Sequence, residues 1–354
     1  MRLLYIMMNR LEYIGSKYKL LEWVMPELVG DTGGSISVAD LFGGTGIVSY
    51  SLVKKYQNIT RIITNDSEPY SFVIMNAMLK STYSLACREF IDKVNTFAID
   101  DTEEYPMPIS EFYSPSGSDG RMFFTIENAK RIDYVRNEIN KYKDILTNGE
   151  YMFLLASLLV SADKVSNTAS VYGAYLKQFK KRANDKFILR PIHMNEQEIK
   201  SEVKVFNNDV MSDEIYEVMK DIDVVYLDPP YNARQYSKNY FPLNIIVSGD
   251  VKREQLRGKT GIPDDCFVSD FCKKREASKS FKNLFEKLFR KGVKKVVMSY
   301  NSEGIVPKEY IMEEMRTSGY TRVSCKIKQY SRFKSSRLEG QQKTVEEYLF
   351  IARL

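Results

Sequence analysis

The sequence predicts an α/β protein built around one mostly parallel, doubly wound sheet. Two observations favour this fold. Short apolar runs alternate with helical stretches at both ends of the 354-residue chain, as in proteins with parallel sheets. The run Asp223–Pro230 is nearly continuously apolar, which is typical of a parallel strand buried on both faces.

Seven segments are predicted to be strands. The first runs into a glycine-rich turn, and helical stretches separate most of the others. The last two are joined without an obvious helix, which predicts an antiparallel hairpin at one edge of the sheet. The predicted strands are Ser35–Phe42, Arg61–Asp66, Glu202–Asp209, Asp223–Pro230, Lys294–Tyr300, Thr321–Tyr330 and Glu346–Leu354.

The middle of the chain departs from this alternation. A polar stretch containing Pro, Gly and Ser runs from Tyr105 to Gly120, and two helical segments follow at Asn128–Ile145 and Glu150–Lys164. A basic segment comes next. We interpret residues 100–200 as an inserted, mainly helical domain, flanked by the two parts of a catalytic domain at residues 1–99 and 201–354.

Composition indicates a globular chain and disfavours zinc sites and mechanisms that depend on histidine. A hydrophobic fraction of 44% and a charged fraction of 28% are ordinary for a globular chain. The four cysteines show no CxxC spacing, which fits a reducing compartment and no structural zinc. The single histidine, His193, disfavours a Ser-His-Asp triad and a zinc enzyme. With no signal segment or bilayer-length apolar stretch in the sequence, we expect a cytoplasmic protein without a membrane partner.

A glycine-rich turn, DLFGGTG, covers residues 40–46 at the end of the first predicted strand. Glycines there let the backbone approach a ligand closely. The turn lacks the Gly-Lys-Ser/Thr of a P-loop and the GxGxxG spacing of a dinucleotide site. Asp66 ends the next strand, where its carboxylate can accept hydrogen bonds from both hydroxyls of a ribose. Together these features suit an adenosine-like cofactor without a pyrophosphate; the alternative for Asp66 is an Asx turn.

A second motif, Asp228-Pro229-Pro230-Tyr231, ends the fourth predicted strand. The prolines fix the backbone and remove two N–H donors. A carboxylate and a rigid carbonyl can accept hydrogen bonds from an exocyclic amine, while the tyrosine ring stacks on the base. A strand that simply ends at prolines beside a surface tyrosine is the alternative, and the leading Asp on a buried strand disfavours it.

In this order, the motifs resemble those of S-adenosylmethionine-dependent DNA adenine-N6 methyltransferases, of the Dam type and of type II restriction–modification systems. The resemblance spans nearly the whole chain, including YIGSK at residues 13–17. It implies a Rossmann-like methyltransferase fold with a mixed seven-stranded sheet, the last strand antiparallel. The cofactor-binding residues that it implies are Tyr13, Gly15, Lys17, Asp40, Phe42, Gly43, Gly44, Gly46, Asp66, Asp209, Val210 and Asp228.

The resemblance also implies the reaction. A methyl group would pass directly from S-adenosylmethionine to the N6 amine of a flipped-out adenine in duplex DNA, leaving S-adenosylhomocysteine. Hydrogen bonds from the amine to Asp228 and to the Pro229 carbonyl would disperse the developing positive charge. No metal is expected. The implied catalytic residues are Asp228, Pro229, Pro230 and Tyr231.

Several alternatives stay open from the sequence alone. Methylation of adenine in RNA would use the same hydrogen-bond acceptors and the same stacking ring. A catalytically silent nucleic-acid-binding protein of the same fold is the alternative from another class, and the intact Asp228 and Tyr231 disfavour it. Cytosine-N4 and protein-glutamine methylation are less favoured, because their families more often carry Ser or Asn at position 228.

The distribution of charge predicts where DNA binds. The chain holds 52 Lys and Arg against 46 Asp and Glu, a net charge of +6, and residues 164–190 alone hold seven cations and one acid. Aromatic residues interleave these cations, which suits contact with phosphates and bases, although a solvated face is the alternative. A second basic cluster covers residues 326–337; a third, at residues 252–259, is interpreted as a solvated face.

The expected partners are double-stranded DNA and a cognate restriction endonuclease that acts separately. The residues predicted to contact DNA are Lys164, Tyr172, Lys177, Lys180, Lys181, Arg182, Arg190, Arg234, Tyr236, Asn239, Tyr240, Arg332, Lys334 and Arg337.

Overall fold

The computed structural model describes residues 11, 13–30, 34–96, 105–192, 199–331 and 344–354. Within them, all seven predicted strands are present. The strands are β1 (Ile36–Asp40), β2 (Ile59–Asn65), β3 (Glu202–Phe206), β4 (Val224–Leu227), β5 (Leu256–Arg257), β6 (Ile262–Pro263), β7 (Lys295–Asn301), β8 (Arg322–Ser331) and β9 (Thr344–Arg353).

Seven strands form one sheet in the order β3-β2-β1-β4-β7-β9-β8. The pairs from β3 to β7 are parallel, whereas β9 runs antiparallel to both β7 and β8. The predicted mixed sheet with an antiparallel last strand is therefore confirmed. The hairpin partner β8 occupies the edge, and β9 inserts between it and β7. Strands β5 and β6 were not predicted, and they pair with each other in a separate small sheet.

Helices cover both faces of the large sheet. The α-helices are α1 (Leu21–Val29), α2 (Ile47–Lys55), α3 (Pro69–Lys80), α4 (Leu85–Thr96), α5 (Pro108–Tyr113), α6 (Ile126–Lys141), α7 (Asn148–Lys164), α8 (Asp213–Glu217), α9 (Tyr236–Ser248), α10 (Ala277–Arg290) and α11 (Lys308–Thr317). Helices α1 and α2 pack on one face, and α8, α10 and α11 pack on the other. Within the described residues, no helix is long and apolar enough to cross a membrane.

The middle of the chain forms a helical layer. Helices α6 and α7 confirm the two predicted helical segments, and a capping box between Thr147 and Glu150 fixes the start of α7. Side chains of α3 to α7 and of α9 form one continuous hydrophobic cluster. This differs from the separate inserted domain that the sequence predicts at residues 100–200. The apolar faces of α3 and α9 are buried against the helices of the inserted segment, so the two parts share one hydrophobic core.

Candidate active site

A pocket of about 1110 Å³, including the open space at its mouth, lies where the carboxyl ends of β1, β2 and β4 meet. Open α/β sheets bind ligands at this edge because the strand-to-helix turns converge there. The motifs predicted from the sequence come together in it. The predicted site residues that line the pocket are Tyr13, Gly15, Lys17, Asp40, Phe42, Gly43, Gly44, Asp66, Asp209, Val210, Asp228, Pro230 and Tyr236.

Asp66 fixes the glycine-rich turn. Its Oδ2 accepts a hydrogen bond from the backbone N–H of Gly44 at 2.8 Å, and its Oδ1 accepts from Glu68 N–H at 2.9 Å. Gly44 has φ +54°, and a Cβ there would lie 3.1 Å from the Tyr13 ring. Glycine is therefore required at this position both by the backbone conformation and by the close aromatic neighbour. Gly46, also predicted to bind the cofactor, precedes α2 with φ +71°.

Asp40 is 1% exposed at the end of β1. Its Oδ2 accepts a hydrogen bond from Ser49 Oγ at 2.9 Å, whereas its Oδ1 is buried and has no hydrogen-bond partner among the described residues. Burial raises the pKa of Asp40 to about 7. A buried acceptor that lacks a donor costs free energy, and an N–H or ammonium group of a ligand would satisfy it.

Two further acids share this region, Glu68 buried and Asp66 partly buried. Burial raises the pKa of Asp66 to about 6 and that of Glu68 to about 7, although hydrogen bonds to both carboxylates oppose the rise. With Asp40, three acids thus titrate above their ordinary range. The pocket concentrates negative potential, which suits a cationic ligand.

These pKa values predict how the ligand-free protein responds to pH. The pKa of Asp40 in the folded state, about 7, exceeds its ordinary value of 3.8, so the folded state binds more protons than the unfolded state between these pH values. Stability therefore falls as pH rises through this window. We expect Asp40→Asn to stabilise the protein at pH 8 by on the order of 2–4 kcal/mol and to leave it nearly unchanged at pH 4. Thermal unfolding without cofactor at both pH values measures this, and an equal shift at both would contradict it.

Asp228 forms an ion pair that the sequence patterns did not predict. Lys17 Nζ lies 2.6 Å from Asp228 Oδ1 and donates a hydrogen bond to the Gly15 carbonyl at 3.2 Å. Lys17 is 5% exposed. Burial raises the pKa of Asp228, and Lys17 opposes part of that rise. Burial alone would lower the pKa of Lys17, but the Asp228 carboxylate reverses the effect and holds that pKa above its ordinary value.

The rest of the second motif contributes one residue to the pocket lining. Pro229 is buried, and Pro230 lines the pocket. Tyr231 is partly buried, with its ring edge-on to Tyr300 at 6.4 Å between centroids. Its backbone carbonyl accepts a hydrogen bond from Ile305 N–H at 2.9 Å. These contacts hold the Tyr231 ring beside the carboxylate that precedes it.

Helix α9, which follows this motif, bonds to two other segments that line the pocket or adjoin it. Ser237 Oγ and Asn244 Nδ2 donate to the two carboxylate oxygens of Glu68, at 2.6 and 2.9 Å. The Tyr240 hydroxyl accepts from Ile14 N–H at 2.8 Å. One helix therefore sets the position of Glu68 relative to the backbone of Ile14, which lies in the YIGSK motif.

One wall of the pocket was not predicted from the sequence. Gln235 and Ser269 exchange two hydrogen bonds, of 2.9 and 3.0 Å, which hold residues 267–271 over the pocket. The Phe271 ring packs edge-on against Phe42, with centroids 5.4 Å apart. This segment carries no recognisable motif, and its two phenylalanines are the only signal that could have marked it.

The predicted DNA contacts fall into different environments. Tyr172 and Tyr240 are 0% exposed and belong to the hydrophobic cluster around α9, so the prediction that their rings contact DNA is wrong for this structure. Their hydroxyls bond to Asp163 Oδ1 and to the backbone of Ile14, which lets large polar aromatics lie in the core. Tyr236 is partly exposed at the pocket.

The basic window is also divided. Lys180 Nζ donates to the Thr168 carbonyl at 2.6 Å, and Arg182 donates to the carbonyls of Asp163 and Lys164. These two cations therefore shape the loop after α7. Lys164 and Asn239 are partly buried. The predicted DNA contacts that are solvent-exposed are Lys177, Lys181, Arg190 and Arg234. Predictions for Arg332, Lys334 and Arg337, like the position of His193, lie outside the described residues.

The sheet order, the single antiparallel strand and the pocket between the glycine turn and Asp228 define a Rossmann-like methyltransferase. A family model described as D12 class N6 adenine-specific DNA methyltransferase matches residues 13–313. The chain belongs to this family, and it is accordingly an adenine-specific DNA methyltransferase that acts on DNA.

Named relatives match over nearly the whole chain. The type II methyltransferase M.CviAII of Paramecium bursaria Chlorella virus 1 is 39% identical over 351 residues, covering 97% of this chain and 98% of the relative. The type II methyltransferase M.NlaIII of Neisseria lactamica is 36% identical, with 96% and 98% covered. M.FokI of Planomicrobium okeanokoites is 31% identical over 96% of this chain but 52% of its own length.

Proposed function

We propose that the chain binds S-adenosylmethionine in this pocket and modifies one short DNA sequence as the methyltransferase of a type II restriction–modification system. The observation that carries the proposal is the meeting of the glycine turn, Asp66 and Asp228 in one pocket of a D12-class chain. The RNA substrate and the silent binding protein, open from sequence alone, find no specific support in the fold or in the relatives.

The pocket residues suit the parts of S-adenosylmethionine. The carboxylate of Asp66 has lone pairs left for the ribose hydroxyls after accepting two backbone N–H groups. The unpaired Oδ1 of Asp40 suits the ammonium group of the methionine part. Asp209 is exposed at the pocket and can accept from the adenine amine. Phe42 and Phe271 offer apolar faces to the adenine ring.

The cofactor, when bound, supplies a methyl group on a sulfonium centre. The chain then has to hold the target amine in line. Asp228 and the Pro229 carbonyl would accept from the amine and stabilise the positive charge that develops on it. Tyr231 would stack on the flipped base, which is worth about 1–3 kcal/mol and offsets part of the unstacking cost. Proximity of the two reactants supplies a large share of the acceleration.

The modification role follows from the relatives named as type II methyltransferases. In such a system a separate endonuclease would cleave the same site when it is unmethylated. Mapping methylated adenines on DNA treated with the purified protein tests the role. One short sequence should be modified throughout, and a nuclease that cuts there should no longer cleave. Methylation spread over unrelated adenines would contradict it.

The exposed cations after α7 are proposed to bind DNA phosphates. Replacing Lys177 and Lys181 by alanine should weaken DNA binding, and the slope of log affinity against log salt should fall by roughly one unit for each phosphate that is no longer neutralised. The expected weakening applies to specific and unrelated sequences alike, because phosphates carry no base information.

Lys252 and Lys259 provide the matched control. Both are exposed and lie in the weaker basic stretch interpreted as a solvated face. The double alanine variant of Lys252 and Lys259 removes the same amount of charge as the test variant. Because these two side chains are interpreted as solvated, DNA binding by this variant should stay close to that of the wild type. Equal weakening in both double variants would point to general charge and would remove the proposed contact surface.

A further inference from the structure

The ion pair between Lys17 and Asp228 raises a problem for catalysis. Asp228 Oδ1 is held by Lys17 Nζ at 2.6 Å, yet the proposed function requires this carboxylate to accept from the target amine. Positive charge develops on that amine during transfer, and a neighbouring ammonium opposes it. The Lys17 charge therefore has to be balanced by a second anion when the amine engages Asp228.

The sheet places a second carboxylate on the required face. Leu349 of β9 packs in the cluster under α1, whereas Tyr348 packs in the cluster on the opposite face. Because side chains alternate along a strand, Glu347 lies on the face of Leu349. The short 3-10 helix that begins with Lys17 leads into α1 on this same face, since Leu20 packs there too.

The pairing of β9 with β7 fixes the position of Glu347 along the strand direction. Glu347 pairs directly with Asn301, the last residue of β7, and β7 lies beside β4, after which Asp228 follows. Glu347 is therefore at the same edge of the sheet as Asp228 and two strands away, a lateral distance of about 10 Å. Lys17, whose ammonium group contacts Asp228, is also close enough for its charge to act on Glu347.

Electrostatics agree with this placement. Burial raises the pKa of Glu347, the charge of Lys17 lowers it, and the charge of Asp228 raises it further. Asn301, 6% exposed, stabilises the charged form by a hydrogen bond. Glu347 thus interacts with both members of the ion pair, and the proposed chemistry assigns its carboxyl group no other role.

We propose that Glu347 is a positioning residue that receives the Lys17 ammonium when the target adenine amine takes its place at Asp228. The inference rests on the proposed function. Lys17 moves between two acceptors on one face of the sheet, and the pair of carboxylates keeps the site from gaining net positive charge as the methyl group arrives. Glu347 acts through Lys17 and touches neither the base nor the cofactor.

Two substitutions separate charge from shape. Glu347→Gln keeps the length and the hydrogen bond to Asn301 but removes the charge; Glu347→Asp keeps the charge and shortens the side chain. Glu346→Gln is the control, because Glu346 lies on the opposite face and accepts from the Tyr348 hydroxyl at 3.0 Å. The measurements are the single-turnover methylation rate at saturating cofactor and DNA, the two dissociation constants and the melting temperature.

We expect Glu347→Gln to slow the single-turnover rate about tenfold, which corresponds to about 1.4 kcal/mol of transition-state stabilisation. Both dissociation constants should remain near wild type, Glu347→Asp should be faster than Glu347→Gln, and Glu346→Gln should be unaffected. If Glu347 had a merely structural role, Glu347→Gln would be faster than Glu347→Asp, because glutamine keeps the shape of the side chain. That order of rates would overturn the proposal. Equal rates for the two variants, or a wild-type rate for Glu347→Gln, would also overturn it. If the wild-type protein forms no N6-methyladenine, the proposed function itself has failed.

Discussion

Replacing Asp228 by alanine is expected to lower the rate of methyl transfer by about 10²–10³-fold or more, while S-adenosylmethionine still binds. The carboxylate is proposed to accept from the target amine only as charge develops there, so its removal acts on the transition state. The contacts assigned to the ribose and the ammonium group come from Asp66 and Asp40 and remain intact. Single-turnover methylation and equilibrium cofactor binding measure the two effects separately.

Lys17 requires a control of its own in this experiment. Asp228→Ala removes the 2.6 Å partner of this buried ammonium, a loss that costs up to about 3–5 kcal/mol in comparable pairs and that the nearby Glu347 charge offsets in part. The double variant Lys17→Met with Asp228→Ala removes both charges. It therefore tests the loss of the carboxylate without leaving a buried, unpaired ammonium group that could unfold the protein. Asp270→Ala, an exposed acid that also lines the pocket, should retain near-normal activity. Near-normal methylation by either Asp228 variant would exclude Asp228 as the acceptor.

Asp66→Ala is expected to weaken S-adenosylmethionine binding by about 10²-fold or more. Its carboxylate is proposed to accept from two ribose hydroxyls, and a hydrogen bond to a charged group contributes about 1.5–3 kcal/mol. The same carboxylate holds the N–H groups of Gly44 and Glu68, so the glycine turn loses its anchor as well. Isothermal titration with cofactor, in the absence of DNA, gives the dissociation constant directly.

Asp209 provides a graded comparison for this prediction. It is exposed, and its Oδ1 already accepts from Met211 N–H at 2.9 Å. Water replaces an exposed hydrogen-bond partner at little cost, so Asp209→Ala should weaken binding much less than Asp66→Ala. An Asp66→Ala protein that binds the cofactor as tightly as wild type would show that the ribose lies elsewhere.

Local patterns in the sequence were enough to predict the sheet and the motifs. The apolar run before Asp228 and the glycines after Asp40 mark strand ends, and parallel strands bring such ends to one edge. The β5–β6 pair escaped detection because each strand has only two residues. An alternation of apolar residues carries no signal at that length.

Contacts between distant residues could not be predicted. The bond from Ser237 to Glu68 joins positions 169 residues apart, and no local pattern encodes it. Tyr172 and Tyr240 were both predicted to contact DNA, yet both rings lie in the core. Aromatic residues serve cores and nucleic-acid surfaces equally well, so composition alone does not separate the two. The ion pair of Lys17 with Asp228 also joins residues far apart in the sequence, so it is defined only once β4 and the N-terminal motif meet.

Identification of the methylated nucleoside tests the central claim most directly. Duplex DNA and RNA of matched sequence are incubated with the protein and S-adenosylmethionine labelled in its methyl group, digested to nucleosides and separated. We expect label in N6-methyladenine from DNA, and about 10²-fold less of it or lower still with Asp228→Ala at equal incubation time. Label found in cytosine, in RNA alone or in protein would contradict the assignment.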